Sequence, residues 1–124
     1  MTTFASPYKT GVIVSLFLTI GLFSSCETTK PMYYWDDYMS ASYNYYKKQR
    51  PEDTEKLVKT FENIIRKSNN STRQIAPPGI YAEYGFLLIQ TGKKEEGMAM
   101  LHKEIEAYPE SKSFIERIIK QAEQ

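Results

Sequence analysis

The sequence predicts an all-α protein of about five helices arranged in antiparallel pairs. Three observations predict this. Apolar residues recur at three- and four-residue spacings along successive stretches, the pattern of helices with one buried face. No stretch sustains the alternate-residue pattern of a half-buried strand, so no sheet is expected. From residue 50 onward the prolines, Pro51, Pro77, Pro78 and Pro109, stand at the ends of the apolar-periodic stretches, where a missing N–H does no damage.

The first helix is expected over residues 36–48. Trp35, Tyr38, Met39, Ser42 and Tyr46 recur there at helical spacing and form an aromatic face. The second helix starts at Pro51-Glu52-Asp53-Thr54. Proline suits the first turn, and the acids complement the free N–H groups there. Leu57, Val58, Phe61, Ile64 and Ile65 form its apolar stripe, with Glu55, Lys59, Glu62 and Arg66 facing elsewhere. The polar run over 67–72 ends it. A third helix is expected over 78–91, opened by Pro77-Pro78-Gly79 and stopped by Gly92. A returning helix over 93–108 turns Ala99, Leu101, Ile105 and Tyr108 inward, and Pro109 breaks it. The last helix, over 111–122, carries Phe114, Ile115, Ile118, Ile119 and Ala122 on one side.

Residues 78–111 resemble one tetratricopeptide repeat, a two-helix unit of 34 residues. Tyr81 and Tyr84 take the large inward positions of its first helix. Gly85 stands where the repeat needs a small residue because the partner helix crosses closely. Leu88 follows one turn later, Gly92 lies at the turn, Leu101 fills the second helix, and Pro109 closes the unit. Gly97 departs from the pattern, since Ala is usual there. A degenerate earlier unit is expected from Trp35 and Tyr38 with Leu57, Phe61 and Ile64, and about three extra residues over 49–53 separate the two registers. The last helix covers the open end of the stack, as such arrays require.

Ahead of this domain the chain carries an export signal. Lys9 lies in a short head, an apolar segment spans 12–23, and Ser24 and Ser25 precede Cys26, the single cysteine. The apolar run is shorter than the roughly 20 residues of a membrane span. This is the pattern of a bacterial lipoprotein: cleavage before Cys26, then acylation of its thiol. Phe23 stands where such signals usually carry Leu, with Leu22 one place earlier. Thr28, rather than Asp, is the second residue after the cysteine, which favours the outer membrane. The expected organisation is a signal peptide over 1–25, a tether over 26–32, and a helical domain over 33–124. A lipidated cysteine leaves none for a disulfide.

Composition excludes several functions. Lys9 is the only charged residue in the signal, so the mature chain has 15 basic and 15 acidic residues. That balance argues against nucleic acid as a partner, because phosphate is gripped with a basic excess. One histidine and a lipidated cysteine make no Cys/His metal cluster and no Cys/His dyad. His102 reads as a helix-surface residue. Asp36-Asp37 and Glu95-Glu96 are neighbours in sequence, so their side chains diverge on a helix. No phosphate-cradling glycine loop is present. No metal, cofactor or catalytic residue is expected, and the protein is expected not to be an enzyme.

The chain has ten tyrosines, and six of them lie over 33–46. One helix face can bury only part of the set Tyr33, Tyr34, Trp35, Tyr38, Tyr43, Tyr45 and Tyr46. The surplus makes this segment the expected partner-binding surface, because Tyr buries large area at low entropy cost. A membrane surface is a second use. Trp35 is nine residues from Cys26, at most about 30 Å of chain, and aromatic rings favour the headgroup zone.

The mature chain resembles a family of small bacterial lipoproteins whose domain is of unknown function. The resemblance rests on Tyr34-Trp35-Asp36-Asp37-Tyr38, on Tyr45-Tyr46-Lys47, on Pro77-Pro78-Gly79-Ile80-Tyr81-Ala82 leading to Gly85, and on Tyr108-Pro109-Glu110-Ser111 followed by Phe114. It covers nearly all of residues 26–119. The resemblance implies an outer-membrane accessory role beside a lipoprotein similar to the curli secretion channel. It supplies no catalytic or binding residues. The function expected is a membrane-anchored helical-repeat adaptor for another envelope protein. The alternative is a peptidoglycan- or glycan-binding module, or an envelope enzyme, in which clustered aromatics stack on sugar rings.

Overall fold

Five α-helices make up the domain: α1 (Tyr38–Lys48), α2 (Pro51–Lys67), α3 (Ile80–Gln90), α4 (Lys94–Ala107) and α5 (Lys112–Ala122). Short 3-10 turns follow α2 (Ser68–Asn70) and precede α5 (Pro109–Ser111). The computed structural model describes residues 29–124, and no strand occurs among them. The signal over 1–25, Cys26 and the first residues of the tether lie outside the described residues.

The helices pair in chain order. Gln49 and Arg50 join α1 to α2, and Thr91–Lys93 join α3 to α4, so each pair folds back on itself. Gly92 adopts φ +85° at the second turn, a conformation that costs glycine little. Packing is densest between α3 and α4, with α2 bridging the pairs and α5 lying on α4. Phe61, Ile64, Ile80, Leu101 and Ile115 are fully buried at the centre. Phe61 stacks on Tyr84 with ring centres 5.6 Å apart, which ties the two pairs together.

The α3–α4 crossing is closer than an ordinary helix contact. A Cβ on Gly85 would stand 2.7 Å from the Gly97 carbonyl oxygen. A Cβ on Gly97 would stand 2.5 Å from the Gly85 oxygen and 2.6 Å from Ile89 Cγ1. The two glycines face each other, and backbone meets backbone. Gly97 is therefore the reciprocal half of the Gly85 contact, and the usual Ala would not fit there without movement.

Three expected inward sets change. On α1 the buried side is Tyr38, Ala41 and Tyr45, while Met39 is 79% exposed and Trp35 and Tyr46 are also exposed. Ala41 is the fully buried residue of α1 and joins the core cluster with Leu57 and Phe61 of α2. On α4 the buried residues are Gly97, Leu101 and Glu104. Ala99 is exposed, because two residues from Leu101 is about 200° around a helix. On α5 Ile115 is buried, but Phe114 is 58% exposed.

Glu104 is a buried carboxylate, 2% exposed. Its Oε1 accepts the Gly79 N–H at 2.8 Å. The N–H groups of Tyr81 and Ala82 lie beside it without closing a hydrogen bond on Oε2. A side chain of α4 thus caps α3 from outside, where free N–H groups favour negative charge. Burial nonetheless raises the Glu104 carboxyl above its ordinary range.

Candidate groove for a partner segment

A groove of about 780 Å³ is lined by residues of α1, α2, α3 and α5. Each helix contributes a stripe at helical spacing. Tyr45, Tyr46 and Gln49 come from the end of α1. Glu83, Phe86, Leu87 and Gln90 come from α3, and Phe114, Ile118 and Gln121 from α5. Thr54, Leu57 and Phe61 of α2 form the floor. The lining is mostly apolar, and Phe86 and Phe114 stay exposed at 48% and 58%. Amides of Gln49, Gln90 and Gln121, one from each wall, offer hydrogen-bond donors and acceptors along it.

The apolar surface of α3 and α5 explains why the groove exists. α3 is apolar nearly all round, so the face that meets α4 leaves Phe86 and Leu87 on another side. The broad stripe of α5 divides in the same way. Ile115 goes into the core, while Phe114, Ile118 and Gln121, at i, i+4 and i+7, face the groove.

Glu83 is the charged group of the lining. Both its oxygens accept the Tyr38 hydroxyl, at 2.7 and 2.9 Å. Burial and then this carboxylate raise the Tyr38 hydroxyl well above its ordinary value. Burial, with Glu83 nearby, also raises Tyr46. Tyr84 donates to Glu62 at 3.1 Å. Burial first and that carboxylate second push its hydroxyl up to about 12. The Tyr38 and Tyr84 phenols are protonated donors at neutral pH and tie α3 to α1 and to α2.

The aromatic segment is divided among three places. Tyr45 and Tyr46 line the groove, with ring centres 5.1 Å apart, and Tyr38 braces it through Glu83. Tyr33 and Tyr34 are turned to the opposite end. The Arg73 guanidinium lies 6.0 Å from the Tyr33 ring centre and holds its hydroxyl below the ordinary value. Lys67 Nζ lies 5.5 Å from the Tyr34 ring centre. The carbonyls of Pro31 and Met32 accept the N–H groups of Thr72 and Arg73 at 2.9 and 3.1 Å. The chain is therefore clipped to the α2–α3 loop where it enters the domain. Trp35 and Tyr43 are exposed outside the groove.

The repeat residues are structural. Tyr84, Gly85, Leu88 and Leu101 are buried, Tyr81 is half-buried, and Gly92 and Pro109 sit at turns. His102 is exposed on α4. Among the described residues no three His, Cys, Asp or Glu side chains gather in a way that could hold a metal ion. Sequence reasoning missed Phe86, Leu87, Gln90, Glu83, Thr54, Gln49 and Gln121 as groove residues. The available signal was the run Phe86-Leu87-Leu88-Ile89, more apolar than one helix face needs.

A family model described as Domain of unknown function (DUF4810) matches residues 32–118, which include all five helices up to the middle of α5. No curated protein and no solved structure matches the chain.

Proposed function

The chain belongs to this family, and from that premise we propose that it is a membrane-anchored, non-enzymatic adaptor of the bacterial cell envelope. Cleavage before Cys26 and acylation of its thiol hold it at the outer membrane, facing the periplasm. The groove takes an apolar segment of another envelope protein, a lipoprotein resembling the curli secretion channel. The observation that carries the reading is the lining itself. Two exposed phenylalanines, Ile118 and Tyr46 line a concave face that closes on nothing within the described residues. Aromatic anchors in a concave site supply most of the binding energy in protein interfaces. Mixed amides and aromatics also suit a helix laid in a groove, with contacts every three or four residues.

The test is photo-crosslinking in living cells. A crosslinking amino acid at Phe86 or Ile118 is expected to trap one partner protein. The same amino acid at His102, on the exposed side of α4, is expected to trap none. Absence of any product from both groove positions refutes the reading. So does sedimentation of the purified chain with cell-wall sacculi that is lost in Phe86→Ser, since a glycan would then be the groove's ligand. Metabolic labelling with a clickable fatty acid tests the anchor, with signal expected from the native chain and none from Cys26→Ala.

A further inference from the structure

The outer side of α1 carries a second exposed apolar surface, which borders the groove at Tyr46. Met39 and Tyr43 stand four residues apart on one helix face and are 79% and 58% exposed. Trp35 precedes the helix, beyond the positive φ of Asp36, and is exposed at 45%, with its ring 5.6 Å from that of Tyr38. Met32, just inside the entry of the chain, is exposed at 64%. Two methionines, the single tryptophan and a tyrosine, all exposed within one short stretch of chain, are unusual for a surface facing water alone.

Charge is arranged to suit a polar interface. Asp36 accepts the Tyr34 hydroxyl at 3.1 Å, and Asp37 pairs with Lys56 at 2.8 Å. Lys47 Nζ lies 2.6 Å from the Tyr43 hydroxyl, and Lys47 and Lys48 occupy the last turn. The row therefore ends in cations, and its neighbouring acids are engaged.

The anchor decides what meets this face. The chain is pinned from Lys30 onward, since the Lys30 carbonyl accepts the Thr72 hydroxyl at 3.0 Å. Lys30 is the fourth residue after Cys26, at most about 14 Å of extended chain away. An acylated Cys26 thus holds the entry side of the domain against the bilayer. Trp and Tyr prefer the headgroup layer, and Lys reaches its phosphates.

We propose that the outer face of α1, with Met39 and Tyr43, together with Met32 and Trp35 just ahead of the helix, rests in the headgroup layer of the membrane that holds the chain. The inference rests on acylation of Cys26. It fixes the orientation of the domain on the membrane. The occupant is lipid, not protein, because an acylated Cys26 lies within about 14 Å of chain of the pinned Lys30.

Trp35 is a built-in reporter, as the single tryptophan. The acylated chain is reconstituted into phosphatidylethanolamine–phosphatidylglycerol vesicles with and without lipids brominated near the headgroup. Trp35 emission is expected to shift to the blue and to be quenched by the brominated lipids. A fluorophore on an introduced cysteine, His102→Cys, is expected to stay unquenched. The pair Met39→Asp and Tyr43→Asp is expected to abolish Trp35 quenching while helix content and acylation persist. Unchanged Trp35 emission in vesicles, with Cys26 shown by mass spectrometry to be acylated, overturns the proposal but leaves the anchor standing. Equal quenching at residues 35 and 102 also overturns it, because the domain would then have no fixed orientation. An unacylated Cys26 refutes the anchor instead. The face is then tested on a chain held by an N-terminal His tag on nickel-chelating lipid, where the same two readings decide.

Discussion

Replacing Gly97 with alanine sets a general pattern against a specific contact. By the usual repeat, Ala belongs at this position, and Ala also has the higher helix propensity by about 1 kcal/mol. In this structure the new Cβ would stand 2.5 Å from the Gly85 carbonyl oxygen, 2.6 Å from Ile89 Cγ1 and 3.1 Å from the Ile89 nitrogen. Two of these neighbours are backbone, so relief requires α3 and α4 to move apart. Overpacking of a tight core costs about 1–3 kcal/mol, and a backbone contact belongs at the upper end. Taking about 3 kcal/mol for strain and about 1 kcal/mol for regained propensity leaves a net loss of about 2 kcal/mol. For a domain of this size that is a drop in Tm of about 8–16 °C. Thermal unfolding followed by far-UV circular dichroism measures it, and urea unfolding with an unchanged m-value confirms a loss of stability. Gly85→Ala is expected to behave alike, since its Cβ meets the Gly97 oxygen at 2.7 Å. The double variant should cost less than the sum, because helices already separated admit the second methyl more easily. A Gly97→Ala chain that melts at the native temperature or higher refutes the close-crossing argument.

Two carboxylates should give opposite pH signatures. The Arg50 side chain bonds Asp53 at 2.7 and 3.0 Å and holds its carboxyl below the ordinary range. Its contribution to stability is present above the unfolded value and lost as pH falls through the folded one. The native chain should therefore exceed Asp53→Asn in Tm at neutral pH, with the gap closing in acid below the ordinary aspartate value of 3.8; a constant gap contradicts this. Glu104 is shifted upward by burial, so the native state keeps its proton longer than the unfolded chain does. That contribution is present below about 4.5 and lost as pH rises through the folded value, so Glu104→Gln should gain on the native chain from pH 4 to pH 7. A flat difference across that range would show that the helix N-terminus cancels the effect of burial. In the groove, Ile118→Asp should leave helix content intact and abolish partner crosslinking from Phe86, and persistence of the crosslink would place the partner elsewhere.

Helix count, order and limits were legible in the chain to within two residues. Pro51, Gly92 and Pro109 act locally, through missing N–H groups and permitted φ, so nothing distant can override them. Gly85 was legible as a crossing point for a related reason, since a small residue inside an apolar helix has few other uses. The groove was less legible. The aromatic run over 33–46 drew attention to one helix, yet only Tyr45 and Tyr46 line the groove. Phe86, Phe114 and Ile118 belong to separate helices and look like ordinary core residues in sequence.

Sequence alone therefore determined the all-α class, the pairing of neighbouring helices and the close contact at Gly85. Those features follow from local periodicity and backbone chemistry. Tertiary structure alone decided which side of each helix is covered. Burial of Ala41 goes with Met39 facing outward, the Gly85–Gly97 pair turns Ala99 to solvent and Glu104 onto the end of α3, and Ile115 enters the core while its neighbour Phe114 faces the groove. Periodicity reports that a helix has an apolar stripe. It does not report which neighbour covers that stripe, or how much is left open, because those depend on contacts between residues far apart in the chain.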